Sequence, residues 1–299
     1  MNRFFKLTLQ SLLLLFSAAL LLDVFYTVII SHSVQRNKVE FIMHSKNNKY
    51  DVVIMGTSRA NNHFVTELFE KQGLNAFNYG MSGAHMFETS LLLKVMMANK
   101  FKIKTLILEA DLSICNEKRD EGTTARFMPY IHQNAIIKKH YENEADFYQI
   151  YYMPFYRYIK FDNRIGFREV CDVLAKKPTN ALHNKGYYPL ISNKKGNMKN
   201  NISALKVIRN RYYEAIKQIC KQNNIKLLVV MTPMCENTKG LNYFDKVQQL
   251  YPEIHNFENV VTDDNYFASC GHLNDAGARI YTKRIIKEFF EFKKIKSNL

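Results

Sequence analysis

The stretch DVVIMGTSR, residues 51–59, decides the fold. Its first five residues form a short apolar, β-branched run that ends at Gly56, which is typical of a buried strand followed by a tight turn. Similar runs and the amphipathic or apolar segments between them predict strands at 75–79, 105–109, 225–231 and 258–261 and helices at 60–72, 85–99, 203–222 and 275–292. Strands that alternate with helices predict an α/β domain with a parallel sheet covered on both faces.

Residues 117–202 interrupt this rhythm and are rich in Tyr, Phe, Lys and Asn. We interpret them as a mostly helical insertion that caps the carboxyl edge of the sheet. The tract YQIYYMPFYRYIKF, residues 148–161, has two interpretations. Its rings either line a carbohydrate cleft, since sugars stack on aromatic rings, or pack the core of the insertion itself.

The N-terminal run KLTLQSLLLLFSAALLLDVFYTVIISH, residues 6–32, contains one internal charge, Asp23. It is long enough to cross a bilayer and longer than the apolar part of a cleaved signal peptide. We therefore predict one transmembrane anchor at 7–31, a linker at 32–47 and a main domain at 48–295. Arg3 and Lys6 favour a cytoplasmic N-terminus and a single-pass protein with an extracytoplasmic domain, in the periplasm or at the cell surface. Asp23 either contacts a partner helix or lies near the membrane interface.

The formal net charge of +15 favours anionic partners, although scattered lysines also occur in proteins from lysine-rich proteomes. The densest basic clusters, Lys194-Lys195 with Lys199 and Lys293-Lys294 with Lys296, lack interleaved aromatic residues, and no glycine-rich phosphate loop is present. These features argue against nucleic acid as a partner.

The five cysteines form no CxxC pair, which argues against a zinc site, and no metal or other cofactor is expected. Their odd number leaves at least one thiol unpaired in an exported chain.

Polar residues directly after the predicted strands carry the candidate chemistry, because ligands of open α/β sheets bind at the carboxyl ends of the strands. Ser58 follows the first strand, at the start of a helix, where it is either a nucleophile or a helix cap. Gly80 follows the second strand and could offer its amide to an oxyanion. Arg59 is a candidate substrate-binding residue.

His272 precedes the last helix, with Asn274 as its predicted cap. A serine hydroxyl is a weak nucleophile unless a base takes its proton, and histidine suits that task near neutral pH. Ser58 and His272 are therefore the predicted catalytic pair.

Ser58 within GTSR, Gly80, and His272 within HLNDAG resemble, in this chain order, the SGNH/GDSL hydrolase superfamily. The resemblance is greatest to its membrane-anchored bacterial branch, which includes the D-alanyl transfer protein of teichoic acid synthesis and polysaccharide O-acetylation proteins. The resemblance covers about residues 48–116 and 203–292. Weaker similarities occur in KGYYPL, residues 185–190, and in Thr232-Pro233-Met234.

The resemblance implies a flavodoxin-like three-layer α/β/α sandwich and assigns the serine as nucleophile and the histidine as its base. It further implies an oxyanion hole made by the amides of Ser58 and Gly80 with an asparagine, for which Asn116 is a weak candidate. The family's aspartate three residues before the histidine is replaced here by Ser269. Asp264 or Ser269 is then the candidate that orients His272.

Two functions follow as hypotheses. In the first, the protein is a serine esterase or O-acyltransferase that acts on an acylated cell-surface glycan or a small ester. In the second, it is a catalytically weak or inactive accessory protein that binds glycan and assists a membrane acyltransferase.

Overall fold

The computed structural model describes residues 2–33, 35–191 and 198–290. The basic clusters Lys194-Lys195 and Lys293-Lys294 with Lys296 lie outside them. The chain divides into two compact units. The anchor unit comprises Met1–His44 and Glu121–Thr179, and the sheet unit comprises Ser45–Asp120 and Asn180–Leu299.

Five strands of the described sheet unit form one parallel sheet in the order β2-β1-β3-β5-β7. The strands of the chain are β1 Lys49–Met55, β2 Ala76–Asn78, β3 Lys102–Glu109, β4 Asn200–Asn201, β5 Lys226–Met231, β6 Thr238–Lys239, β7 His255–Asn256, β8 Phe267–Ser269 and β9 His272–Leu273. Register pairs Val53 with Phe77 and with Leu106, and Ile107 with Leu228. The predicted α/β class and parallel sheet are thus confirmed. Strands β4 and β6 form a small parallel pair, and β8 and β9 an antiparallel one.

Helices connect the strands of the sheet unit and cover its sheet. They are α3 Ser58–His63, α4 Thr66–Glu70, α5 Met86–Ala98, α12 Arg211–Gln222, α13 Asn242–Leu250 and α14 Asp275–Phe289. One core cluster joins Val52, Ile54 and Val230 of the sheet to Phe64 and Tyr281 on the α3 and α14 side. The alternate strand residues, such as Val53 and Leu106, are also fully buried, as expected for a parallel sheet.

The anchor unit is helical in its described residues. It contains α1 Asn2–Ser31, α2 Lys38–Met43, α6 Glu121–Thr124, α7 Ala135–Tyr141, α8 Phe147–Tyr152, α9 Tyr156–Lys160, α10 Asp162–Ile165 and α11 Phe167–Leu174. Within the described chain, Arg3–Ser31 is the one helix long and apolar enough to cross a membrane. Length and composition alone also fit a signal sequence or a core helix.

Three element boundaries differ from the prediction. The helix predicted at 60–72 is split, because Phe64 and Val65 adopt extended backbone and turn their side chains into the core. The helix predicted from 203 starts at Arg211, where the Asn210 side chain caps it by accepting from two amides. The fifth strand is His255–Asn256 rather than 258–261, because the Asn256 side chain accepts from the Glu258 amide and turns the chain.

Gly80 is required for close packing of α3 against the end of β2. A Cβ at Gly80 would lie 2.5 Å from the Asn61 amide nitrogen and 2.7 Å from the Ala60 Cβ, and backbone cannot easily move away. We expect Gly80→Ala to destabilise the protein by about 1–3 kcal/mol through overpacking.

Denaturant unfolding of the full-length protein measures this loss. Gly73→Ala is the matched control, because a Cβ there meets no atom within 4 Å and only its φ of +76° opposes alanine. Equal stability of Gly80→Ala and the parent chain would contradict the packing argument.

Candidate active site

The functional candidates gather at the carboxyl edge of the parallel sheet. The connection after β1 runs to β2 on one side of the sheet, and the connection after β3 runs to β5 on the other, so a crevice opens between the carboxyl ends of β1 and β3. The turn after β1 passes through Gly56, whose φ is +142°, and delivers Ser58 to this crevice.

Ser58 is the first residue of α3, and the helix cap is Thr57, whose side chain accepts from the Arg59 amide. The capping role is therefore filled, which leaves the Ser58 hydroxyl for another partner. Ser58 Oγ lies 2.8 Å from His272 Nε2. The Ser58 amide is at the positive end of α3, and within the described residues no acceptor is recorded for it.

A two-residue hairpin turn, Cys270-Gly271, places His272. Ser269 and His272 face each other across the β8–β9 pair, and Gly271 adopts the left-handed φ of +87° that the tight turn needs. A disulfide between Cys270 and Cys235 ties this turn to the loop after β5. Cys115, Cys171 and Cys220 are free thiols.

His63, at the end of α3, supports the same strand. Its Nε2 accepts a hydrogen bond from the Leu273 amide at 3.0 Å, so α3 contacts the His272 segment at both of its ends. Burial, with the Arg59 charge as a smaller cause, lowers the pKa of His63 well below its usual value, which fits a neutral acceptor.

The environment of His272 keeps its ring neutral at neutral pH. Burial and the nearby Arg59 guanidinium lower its pKa, and the Asp111 carboxylate opposes them more weakly. When Nε2 accepts from Ser58, the ring proton lies on Nδ1, which faces Ser269 Oγ at 3.4 Å. A neutral histidine that contacts the serine hydroxyl is the state that a general base requires.

A buried polar cluster, defined as Glu109, Asp111 and Arg59, lies beneath the turn that carries Ser58. Glu109 Oε2 accepts from the Thr57 amide at 2.8 Å and from the Thr57 hydroxyl at 2.7 Å, one residue before Ser58. Arg59 forms an ion pair of 3.0 Å with Asp111, whose carboxylate also accepts from Thr232. The cluster thereby fastens the ends of β1, β3 and β5 to one another.

Burial and the neighbouring Asp111 carboxylate raise the pKa of Glu109 to about 8. With Glu109 protonated, the cluster carries one negative and one positive charge, at Asp111 and Arg59. Such a balance limits the cost of burying ionised groups.

Two predicted oxyanion donors have other partners in the structure. The Gly80 amide donates to Asn78 Oδ1 at 2.9 Å. The Asn116 side chain accepts from the Lys118 amide and contacts the Cys115 sulfur. Of the predicted donors, the Ser58 amide is the one for which the described residues show no other partner.

Of the other predicted site residues, Ser269 lies beside His272, whereas Asp264 and Arg59 have partners elsewhere. Ser269 faces His272, whereas the Asp264 carboxylate accepts from the Glu236 amide at 3.3 Å. Arg59 is 3% exposed, and besides Asp111 it donates to the carbonyls of Thr232 and Pro233. Its guanidinium therefore lies below the site and not at its surface.

Sequence reasoning did not select Glu109, His63 or the Cys235–Cys270 pair. Glu109 offered one signal, since a carboxylate that closes an otherwise apolar strand is unusual. His63 follows Ser58 by five residues, a spacing without a known pattern. For the described residues, no group of three or more His, Cys, Asp and Glu side chains is arranged to hold a metal ion.

The raised pKa of Glu109 gives the protein a pH-dependent stability. The folded chain holds this proton up to about pH 8, whereas the unfolded chain loses it near the ordinary value of 4.5. The stability contributed by the proton is therefore complete below pH 4.5 and is lost as the pH rises towards 8. Glu109→Gln cannot ionise and keeps an oxygen for Thr57, so its stability advantage over the parent should grow from pH 5 to pH 8.

Thermal unfolding of both chains between pH 5 and pH 9 measures this difference. Glu109→Ala is the control, because it loses the Thr57 contacts and should be less stable at every pH. Parallel curves for the parent and Glu109→Gln would show that Glu109 is ionised in the folded protein.

Comparisons with known proteins assign this chain to no family. No family model matches the chain, and no curated protein matches it. Among solved structures, one described as "a putative platelet activating factor from Streptococcus pneumonia" aligns over 95% of this chain and 98% of its own. Its identity to this chain is 10% and the TM-score is 0.35. A similarity at this level assigns neither a family nor an activity.

Proposed function

We propose that the protein is a membrane-anchored serine esterase or O-acyltransferase that acts on acyl esters of a cell-surface glycan. The observation that carries the proposal is the 2.8 Å contact between Ser58 Oγ and a buried His272 Nε2 at the carboxyl edge of the sheet. The chain order and motifs that resemble SGNH hydrolases, with their three-layer sandwich, belong to the same proposal. The proposal also includes an extracytoplasmic position of the sheet unit, with α1 as its anchor. The disulfide between Cys235 and Cys270 supports this position, because disulfides persist in oxidising compartments.

In the proposed reaction, Ser58 Oγ attacks the ester carbonyl while its proton moves to His272 Nε2. The Ser58 amide, at the start of α3, donates to the resulting oxyanion. The tetrahedral intermediate then collapses, the C–O bond to the alcohol breaks, and the alcohol takes the proton from Nε2. An acyl-Ser58 remains. Water releases it as an acid, whereas a sugar hydroxyl receives the acyl group, with His272 again as the base.

A cavity of about 450 Å³ in the sheet unit, whose described lining includes neither Ser58 nor His272, would hold a part of the substrate away from the ester. Its walls include His183, Tyr188 and Ala268, and Ala268 directly precedes Ser269. The Tyr188 backbone amide donates to the Asn61 carbonyl of α3, and Asn62 donates to the Tyr188 carbonyl. The cavity wall is therefore fastened to the helix that carries Ser58, and its rings and polar groups suit a sugar.

Two observations favour the accessory function as the second candidate. No carboxylate of a described residue is recorded at His272 Nδ1, where Ser269 lies at 3.4 Å, and the Gly80 amide is used by Asn78. A chain with these features that only binds acylated glycan, beside a membrane acyltransferase, would keep the cavity without turnover.

Fluorophosphonate labelling of the full-length protein tests the enzyme proposal. An activated serine should react at Ser58, and Ser58→Ala should abolish the reaction. His272→Gln should slow labelling by about 10²-fold or more, because the hydroxyl loses its base. Ser82→Ala, which removes an exposed serine after β2, is the matched control and should label like the parent. Absence of labelling in folded protein would favour the accessory function.

Ser269→Asp tests whether the missing carboxylate limits the reaction. An aspartate would accept from Nδ1 and stabilise the imidazolium, so the labelling rate should rise by about 10-fold or more. The added negative charge should also raise the pKa of His272, and the acidic limb of the pH–rate profile should move to higher pH.

Ser269→Asn is the isosteric control, since it adds bulk without charge and should leave the limb in place. A slower Ser269→Asp with an unmoved acidic limb would contradict an orienting role for position 269.

A further inference from the structure

The anchor helix α1 changes character at Asp23. Before this residue its large apolar side chains are exposed, as the bilayer interior requires. From Asp23 onward one face is covered, with Asp23 and Tyr26 each 8% exposed and Ile30 5%. Spacings of three and four residues place these side chains on one side of the helix.

The anchor unit's own polypeptide covers this face. Asp23 Oδ1 accepts from Arg157 at 2.8 Å, and Asp23 Oδ2 accepts from the Phe155 amide at 2.9 Å. Thr27 also accepts from Arg157, and its hydroxyl contacts the Tyr158 hydroxyl at 2.7 Å. Segment 153–160 is thereby fixed at the level of Asp23 along the helix.

The opposite face of α1 remains apolar and exposed beyond Asp23, at Val24, Phe25 and Val28. A hydrocarbon layer of about 30 Å needs about 20 helical residues at about 1.5 Å each. Counted from Lys6, these residues end near Tyr26, so Asp23 lies about one turn inside the outer boundary of the layer. Pairing with Arg157 hides its charge at a depth where an unpaired carboxylate is costly.

Segments held at this depth expose large apolar side chains. On α8, α9 and the turn between them, Tyr148 is 72% exposed, Tyr152 63%, Met153 51% and Ile159 67%. These four residues are defined as the 148–159 patch. Arg164 and Arg168, also exposed, follow in the next two helices. Tyrosine and apolar side chains beside arginine are typical of chains at the bilayer interface, where anionic headgroups lie.

We propose that the 148–159 patch is inserted into the outer interface of the lipid bilayer, beside the anchor. The anchor unit is then a membrane-docked body and not a soluble domain on a tether. The occupant of the patch is lipid, because segment 153–160, which carries Met153 and Ile159, contacts α1 at the level of Asp23, where α1 also exposes Val24 and Phe25. This inference rests on retention of α1 in the membrane, which is part of the proposed function, and is independent of catalysis.

The chain contains no tryptophan, so a single substitution gives a unique fluorophore. The full-length Tyr152→Trp variant is reconstituted in vesicles of phosphatidylcholine and phosphatidylglycerol, with and without bromine on the upper acyl chain. We expect at least about twofold quenching by the brominated lipid and little quenching by aqueous iodide. Tyr188→Trp, at the exposed tyrosine of the sheet unit's cavity, is the matched control, with the reverse pattern expected.

Phe16→Trp, in the middle of α1, tests separately whether the anchor lies in the bilayer, independently of the 148–159 patch. If lipid brominated near the chain ends quenches Phe16→Trp while Tyr152→Trp responds only to iodide, the anchor spans the bilayer and the patch proposal is overturned. That result would instead leave the patch to a protein partner. If Phe16→Trp is not quenched, the anchor is not in the bilayer and the docking proposal fails with it. Fluorophosphonate labelling of the same vesicles reports separately on the proposed activity.

Discussion

The carboxyl group of Glu109 is the constraint on which the site depends. It closes the turn after β1 by accepting both donors of Thr57, and Gly56 must be glycine because a Cβ there would lie 2.7 Å from Glu109 Oε2. The turn sets the first residue of α3 and hence the position of the Ser58 hydroxyl. Because Glu109 also neighbours Asp111, its proton limits the negative charge beneath Ser58. The geometry of Ser58 is therefore coupled to a buried protonation state several ångströms away.

The parallel sheet was predictable because buried strands leave a strong local signal, as in the short apolar run IKLLVVM, residues 225–231. Ser58 and His272 were predictable from chain order and from the carboxyl-edge rule, and the structure places their side chains in contact. The start of α12 and the position of β7 were not predictable. They depend on the hydrogen bonds of the Asn210 and Asn256 side chains, whose partners are set only in the folded chain. Sequence proximity also misled at Asp264, because its carboxylate turns to the Glu236 amide.

The tertiary contacts that support His272 left no pattern in the sequence. Its hairpin depends on a left-handed Gly271, on a disulfide from a cysteine 35 residues earlier, and on a hydrogen bond to His63. The disulfide and the hydrogen bond each join segments that are distant in the chain, so composition and periodicity carry no trace of them. The same holds for Arg59, which looked like a surface ligand for substrate because it adjoins Ser58. Its neighbours in space are Asp111 and the end of β5, which a local sequence cannot reveal.

Among the described residues, the recorded partner of His272 Nδ1 is Ser269 and not a carboxylate, which affects both the neutral and the protonated form of the ring. Burial and Arg59 keep the ring unprotonated, so the base is ready at neutral pH. In the proposed reaction, the same surroundings would disfavour the imidazolium formed by the attack of Ser58, and Asp111 is the carboxylate that opposes them. The lowered pKa therefore favours the neutral His272 that accepts a proton, and disfavours the protonated His272 that results. In the proposed reaction, the hairpin held by the disulfide and by His63 would orient the His272 ring, but it adds no negative charge beside Nδ1. Orientation and charge, which one aspartate commonly supplies together, are separate properties in this protein.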